Sequence, residues 1–166
     1  MDLFDAIEKR ASVRELKPVD IPGGDLNRIL DAGRRAPSGY NRQPFEFIVI
    51  RDGSSLAKFT ECQACIADVT TAVAVVADPE TSKYWLEDLS AATENMLLAI
   101  TALGYATVWI EGRILPREAE LKQMLGVPEK VRLMVILPIG KAAGPAVQKE
   151  KRPLEQVVYR ERYGQR

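Results

Sequence analysis

Histidine occurs nowhere in these 166 residues, which removes the usual general base at neutral pH and the commonest metal ligand. Gly-x-Ser-x-Gly and Walker sequences are also missing, and no Gly-x-Gly-x-x-Gly follows a strand, so neither hydrolase nor P-loop nor Rossmann chemistry is indicated. Cysteine is limited to Cys62 and Cys65. A zinc site would need two further Cys or His, so no metal is expected within one chain. This CxxC falls late in a helix predicted from about Ser54, beside Leu56, Phe59 and Ile66, whereas redox CxxC motifs open a helix after a strand; a structural role is expected. Net charge is absent as well, 23 basic residues balancing 23 acidic ones, which leaves no field to hold a polyanion and favours small-molecule partners. No apolar run reaches the roughly 18 residues that span a bilayer, and Met1-Asp2-Leu3-Phe4-Asp5 lacks the basic start of a signal peptide, so the expected location is cytoplasmic. An enzyme so composed is expected to take its chemistry from a bound redox cofactor.

What the chain does have is 46% apolar residues, enough at this length for one domain spanning residues 1–166. Asp2 is placed to cap a first helix with Leu3, Ala6 and Ile7 on one face, and a second helix is predicted from about Asp25 with Leu26, Ile29, Leu30 and Gly33 at the same spacing. Pro18 and Pro22 argue for an extended connection between them. Strands are predicted at Phe45 to Ile50, Thr71 to Ala77, Ala106 to Ile110 and Val131 to Ile139, the last apolar enough for the middle of a sheet. A long, largely buried helix is expected from about Lys83 to Leu103, stopped by Gly104, and a shorter one from Pro116 to Gly126. The alternation fits one sheet covered by helices on both faces. The 26 residues after Gly140 hold seven Lys or Arg and three Glu, with few large apolar residues. Such a tail is either disordered or lies along another surface, a second copy of the chain being one choice.

Arg10-Ala11-Ser12-Val13-Arg14 places two guanidinium groups and a hydroxyl within five residues, and in extended backbone residues 10, 12 and 14 share one side. Arg donates paired hydrogen bonds to phosphate and Ser adds another donor, so this is a candidate anion grip; the plainer reading is a solvated basic turn after a helix. Further segments follow in a distinctive order. Ala36-Pro37-Ser38-Gly39-Tyr40-Asn41-Arg42-Gln43-Pro44-Phe45 leads into a strand, Glu94-Asn95-Met96-Leu97-Leu98-Ala99 lies on the long helix before Leu103-Gly104-Tyr105, Trp109-Ile110-Glu111-Gly112 follows the next strand, and Lys149-Glu150-Lys151-Arg152-Pro153-Leu154-Glu155 lies near the C-terminus. In this order, across nearly the whole chain, they resemble the FMN-dependent nitroreductase family.

The resemblance implies an α+β fold: a three-layer α/β/α sandwich around a mixed, mainly antiparallel sheet, with a tail of about residues 141–166 extending onto the partner of a homodimer. It implies FMN at the subunit interface, with NADH or NADPH as co-substrate and a nitroaromatic, quinone or similar small molecule as acceptor in a ping-pong reaction. Arg10 and Ser12 would lie toward the phosphate and ribityl end, with Ala11 also in the cofactor-binding segment, and Arg14 toward the pyrimidine edge, where a cation stabilises reduced flavin. Pro37, Ser38, Gly39 and Asn41, assisted by Gln43, match the loop offered to the flavin held mainly by the other subunit. Ile110, Glu111 and Gly112 match the backbone against the flavin ring, a small Gly112 permitting close approach. Lys149 and Lys151 match the basic pair that closes on the phosphate, with Arg152 the substitute if the match shifts by one. No side chain is expected to act as catalytic acid or base. The chain departs from many members in carrying little between the long helix and the strand that precedes it, where extra helices often cover the site. Tyr84 and Trp85 lie there, either as a stacking surface for an aromatic substrate or as a hydrophobic anchor. Two other readings stand beside the main one: a specialised flavin reaction of the reductive dehalogenase or flavin-fragmenting type, and a low-turnover flavin-binding redox sensor reporting through Cys62 and Cys65.

Overall fold

Residues 1–165 are described by the structure, a computed structural model. Asp2 caps α1 (Leu3–Lys9) as expected, its Oδ1 accepting the Asp5 N–H at 2.9 Å. After the short strand β1 (Leu16–Lys17), α2 (Gly23–Arg34) begins at Gly23, two residues before the predicted start, and buries Leu26, Ile29 and Gly33. Then come β2 (Phe45–Ile50), α3 (Gly53–Phe59), β3 (Thr71–Ala77), α4 (Trp85–Ala102), α5 (Glu118–Leu125), β4 (Arg132–Ile139) and β5 (Lys141–Ala142).

The central sheet has the order β2-β3-β4, antiparallel throughout. Strand β3 is buried along its whole length, and its apolar residues alternate between two cores as the pleat requires. Val73, Val75 and Ala77 face a cluster with Ile29 of α2 and Leu89, Met96 and Ile100 of α4. Ala72, Ala74 and Val76 face the opposite cluster with Leu56 and Phe59 of α3 and Leu121 of α5. The layers are therefore α2/α4, sheet, α3/α5, with α1 packed against α4. A bulge opposite Val75/Val76 puts both Met134 and Val135 on the α2/α4 face, after which Leu133 returns to the other; one inserted residue thereby resets the strand's alternation.

Two sequence expectations need correction. The segment 106–110 runs antiparallel beside β4 but pairs with it only at Ala106–Gly140 and Ile110–Ile136, each exchanging both backbone hydrogen bonds. The next hydrogen-bonded pair in that register is 108 with 138, and Pro138 has no N–H to give. Ser12 makes a parallel bridge to Thr107, with the Val13 N–H donating to the Thr107 carbonyl at 2.9 Å, so the arrangement is mixed at this edge. Secondly, α3 ends at Phe59, and Cys62 and Cys65 lie beyond it in a turn and a following 3-10 segment (Ala64–Asp68). The Thr60 hydroxyl donates back to the Ala57 carbonyl at 2.7 Å where the helix stops; competition of this kind for the backbone suits a terminus.

Beyond Ala142 no residue up to Gln165 is buried. The tail has one 3-10 turn, Leu154–Gln156, and leaves Val147, Leu154, Val157, Val158 and Tyr163 exposed. Its last residue, Arg166, lies outside the described residues. No helix among them is long and apolar enough to cross a membrane.

Candidate active site

Extended backbone after α1 gives the Arg10–Arg14 segment its alternation. Val13 packs against the core while Ser12 and Arg14 are exposed. The Arg10 side chain is only 20% exposed, and its Nε lies 3.9 Å from Glu94 Oε1 on α4. Burial pushes the Glu94 carboxyl above its ordinary value, and the Arg10 charge draws it partly back. Ser12 and Arg14 make no side-chain hydrogen bond or ion pair with any described residue. Beside them the hydroxyl of Thr107, 3% exposed, has no hydrogen-bond partner, an unusual state for a buried polar group.

The tail returns to this segment. A cleft of about 350 Å³ lies between residues 11–15 and residues 144–147. Gln148 closes it by donating from Nε2 to the carbonyls of Ile7 and Arg10, at 3.0 and 2.9 Å. Residues 141 and 138 positions apart in sequence are so joined that Lys149, Lys151 and Arg152, all exposed and without an ion pair among the described residues, follow directly from the point of attachment. Cations thus approach the cleft from both strands of chain that form it.

Glu111 and Gly112 follow Ile110, which is fixed to β4 by its two hydrogen bonds to Ile136. The Glu111 carboxylate accepts from the Trp109 indole at 2.9 Å, and its carbonyl accepts from the Ile114 N–H at 2.7 Å. No described residue accepts from the N–H of Glu111 or Gly112. A Cβ on Gly112 would meet nothing within 4 Å, so nothing in this chain demands a glycine there; the constraint, if any, comes from what the backbone faces.

The loop 37–43 is the most strained part of the backbone. Tyr40, Asn41 and Gln43 all have positive φ, at 54°, 56° and 49°, conformations that persist only where the surroundings enforce them. Ser38 Oγ accepts from the Gln43 N–H at 3.0 Å, Gln43 Nε2 donates to the Asn41 carbonyl at 3.2 Å, and Pro37 is exposed. The enforcing group is one that sequence reading missed. Asp88 on α4, 5% exposed, accepts from the Gly39 N–H with Oδ1 and from the Ser82 hydroxyl with Oδ2, both at 2.9 Å. The signal was present: Asp88 sits one turn before Ala92 and two before Met96, so it interrupts the apolar stripe of α4, and a carboxylate there must be partnered. Of the aromatic pair, Trp85 is half-buried against the α2/α4 core, whereas the Tyr84 ring lies over Gly39, where any Cβ would collide with it.

Both thiols are buried, Cys62 fully and Cys65 to 4% exposure, and burial pushes both above their ordinary values. Neither is in a state suited to redox reporting.

Comparison with known proteins accords with this layout. The model of the Nitroreductase family matches residues 7–81 and 66–141. A candidate NADH dehydrogenase/NAD(P)H nitroreductase of Archaeoglobus fulgidus is 38% identical over 144 residues, covering 81% of this chain and 82% of that protein. Among solved structures, an FMN-dependent nitroreductase of Clostridium difficile superposes with a TM-score of 0.86 at 25% identity, covering 96% of this chain and 99% of the other. A nitroreductase with bound FMN from Bacteroides fragilis superposes at 0.82 with 28% identity, covering 98% and 100%.

Proposed function

Because the chain belongs to the nitroreductase family, an oxidoreductase family, we propose that it is an FMN-dependent enzyme that passes hydride from NAD(P)H to a nitroaromatic, quinone or similar small acceptor. The observation that carries this reading is the cleft between residues 11–15 and 144–147, whose two sides are joined by the Gln148 tether to Arg10. Arg10 and Ser12 would hold the FMN phosphate and ribityl chain, with Ala11 between them leaving the approach open. Arg14 would face the pyrimidine edge, where its charge favours the reduced state. Lys149 and Lys151, with Arg152 next in line, would close on the phosphate.

When bound, the flavin supplies a hydride acceptor that takes electrons from NAD(P)H and gives them to the second substrate, so the two half-reactions alternate at one place and no side-chain acid or base is needed. The protein's task is to bind and orient. Ile110, pinned to β4, positions the free N–H groups of Glu111 and Gly112 as donors, and the lack of a Cβ at Gly112 permits close approach of the ring. Pro37, Ser38, Gly39, Asn41 and Gln43 would serve the flavin held mainly by the partner in a homodimer, which is why their loop is held in a strained shape by Asp88 although it lies away from the cleft's own lining. The exposed apolar residues of α1 (Leu3, Phe4, Ile7) and of the tail (Leu154, Val157, Val158) supply surface for the second copy, and we read residues 1–166 as one domain in each cytoplasmic subunit, with the tail from 141 onward wrapping its partner.

The test is a visible absorption spectrum after FMN addition and desalting, followed by anaerobic NADH and then NADPH. Retained flavin that bleaches with either nucleotide supports the reading. Retained flavin that never bleaches removes the reductase function, and loss of all flavin on desalting removes the cofactor assignment.

A further inference from the structure

Loop 37–43 and the turn before α4 form the two walls of a second pocket, of about 250 Å³, whose lining includes Tyr40, Arg42, Glu80, Thr81, Lys83 and Tyr84. It is a built feature. Asp88 holds one wall through Gly39 and the other through Ser82, and Ser82 Oγ in turn accepts the Tyr84 N–H at 3.1 Å. The rings of Tyr40 and Tyr84 stand 6.5 Å apart at 33°. Tyr40 is 83% exposed on a backbone at φ 54°, and an aromatic ring held out in solvent offers a face on which a planar ligand can stack.

The charges around these rings are asymmetric. Arg42 donates from Nη1 to the Thr81 carbonyl at 3.3 Å and has no carboxylate partner among the described residues. Lys83 lies 4.8 Å from the Tyr84 ring centroid and has none either. Glu80 is drawn toward Lys130, 3.7 Å away, and both oxygens of Asp88 behind the wall are occupied. An exposed aromatic face beside two cations that have no carboxylate partner among the described residues suits a planar base joined to a phosphate: the base stacks and the phosphate takes the Arg and Lys.

Resting on the proposed reductase function, the geometry points to this pocket as the seat of the phosphoadenosine end of NADPH, so that Arg42 and Lys83 select NADPH over NADH while Tyr40 stacks on the adenine common to both. The cations act on the phosphate alone and the ring acts on the base alone, and this separation makes the assignment testable.

The experiment uses FMN-loaded protein in three forms: wild type, the double variant Arg42→Ala/Lys83→Ala, and Tyr40→Ala. All three substitutions fall on exposed side chains, and thermal unfolding of each variant checks that the fold is kept. Half-saturation of anaerobic flavin bleaching is measured with NADPH and with NADH, and 2′,5′-ADP binding is measured by calorimetry on the same samples. In the wild type NADPH should saturate at a lower concentration than NADH. The double variant should raise the NADPH value by about tenfold or more and leave the NADH value unchanged, whereas Tyr40→Ala should weaken both nucleotides alike, by roughly tenfold. Wild-type indifference to the phosphate, or equal weakening of both nucleotides in the double variant, overturns the assignment. Should neither nucleotide bleach the flavin, the reductase function falls, and calorimetry still decides the pocket: 2′,5′-ADP binding that disappears in the double variant upholds it, and no binding to wild type overturns it.

Discussion

Replacing Asp88 by Ala removes one buried carboxylate and unties two pieces of chain. The carboxylate accepts the Gly39 N–H and the Ser82 hydroxyl, each at 2.9 Å, at a site 5% exposed. A charge-assisted hydrogen bond of this kind contributes about 1.5–3 kcal/mol. The two are not additive, because the Ser82 hydroxyl rotates to another acceptor more easily than the Gly39 N–H does. Loss of about 3 kcal/mol is therefore expected, which for a chain of this length lowers Tm by roughly 6–12 °C. Asp88→Asn keeps an oxygen for Gly39 and turns an amide toward Ser82 Oγ, so about half that loss is expected. Urea unfolding of both variants at one protein concentration gives the free energies. Native-state hydrogen exchange shows where the loss is felt: the amides of Gly39 and Gln43 should exchange faster in Asp88→Ala while β3 changes only with global stability. An Asp88→Ala protein within about 0.5 kcal/mol of wild type, or one whose loop amides stay protected, would refute the claim that this carboxylate enforces the loop.

Arg10→Ala should weaken FMN retention by about 1.5–3 kcal/mol, since the phosphate loses a charge-assisted partner; fluorescence titration with FMN reads this, and unchanged affinity would move the phosphate elsewhere. Gly33→Ala would place a Cβ 2.8 Å from Met96 Cγ and Sδ and from Phe47 Cζ, so overpacking between α2, α4 and the sheet should lower stability by about 1–3 kcal/mol, measured by thermal unfolding. Burial pushes the Glu118 carboxyl up, but hydrogen bonds from Arg132 and the Leu133 N–H pull it further down, leaving it below its ordinary value. A lowered native value means that its stabilisation is present above the unfolded-state value and is lost as pH falls through the native one. With Arg132 partly exposed the effect is on the order of 1 kcal/mol, and Glu118→Gln should flatten the fall of Tm below about pH 5.

How much of this was legible beforehand depended on whether the cause was local. Helix α1 was marked by Asp2, and β3 by an unbroken run of small and β-branched residues; both causes are in the sequence next to their effects. The incomplete pairing of 106–110 was less visible because its cause lies elsewhere in the chain, at Pro138, a residue that already argues against a fully paired central strand. The end of α3 at Phe59 was missed because Leu56, Phe59, Cys62 and Ile66 keep a helical spacing in sequence while being buried through a turn and a 3-10 segment. In the site, the segments were identified by resemblance, but what gives them shape was not. The tether from Gln148 to Arg10 and the tie from Asp88 to Gly39 join residues 138 and 49 positions apart, and such pairings follow from the fold rather than from any local pattern.

The gap at Pro138 has a consequence for the segment that leads to Gly112. A fully zipped fourth strand would move only with the whole sheet; this one is sewn on by stitches at Ala106 and Ile110 with slack thread between. Two isolated bridges hold the segment where a ladder would hold a strand, so the amides of Ala106 and Ile110 should exchange ahead of those in β3. The backbone that we propose lies against the flavin is thereby given a hem, free to settle by small amounts against a planar ring while the cloth behind it stays flat.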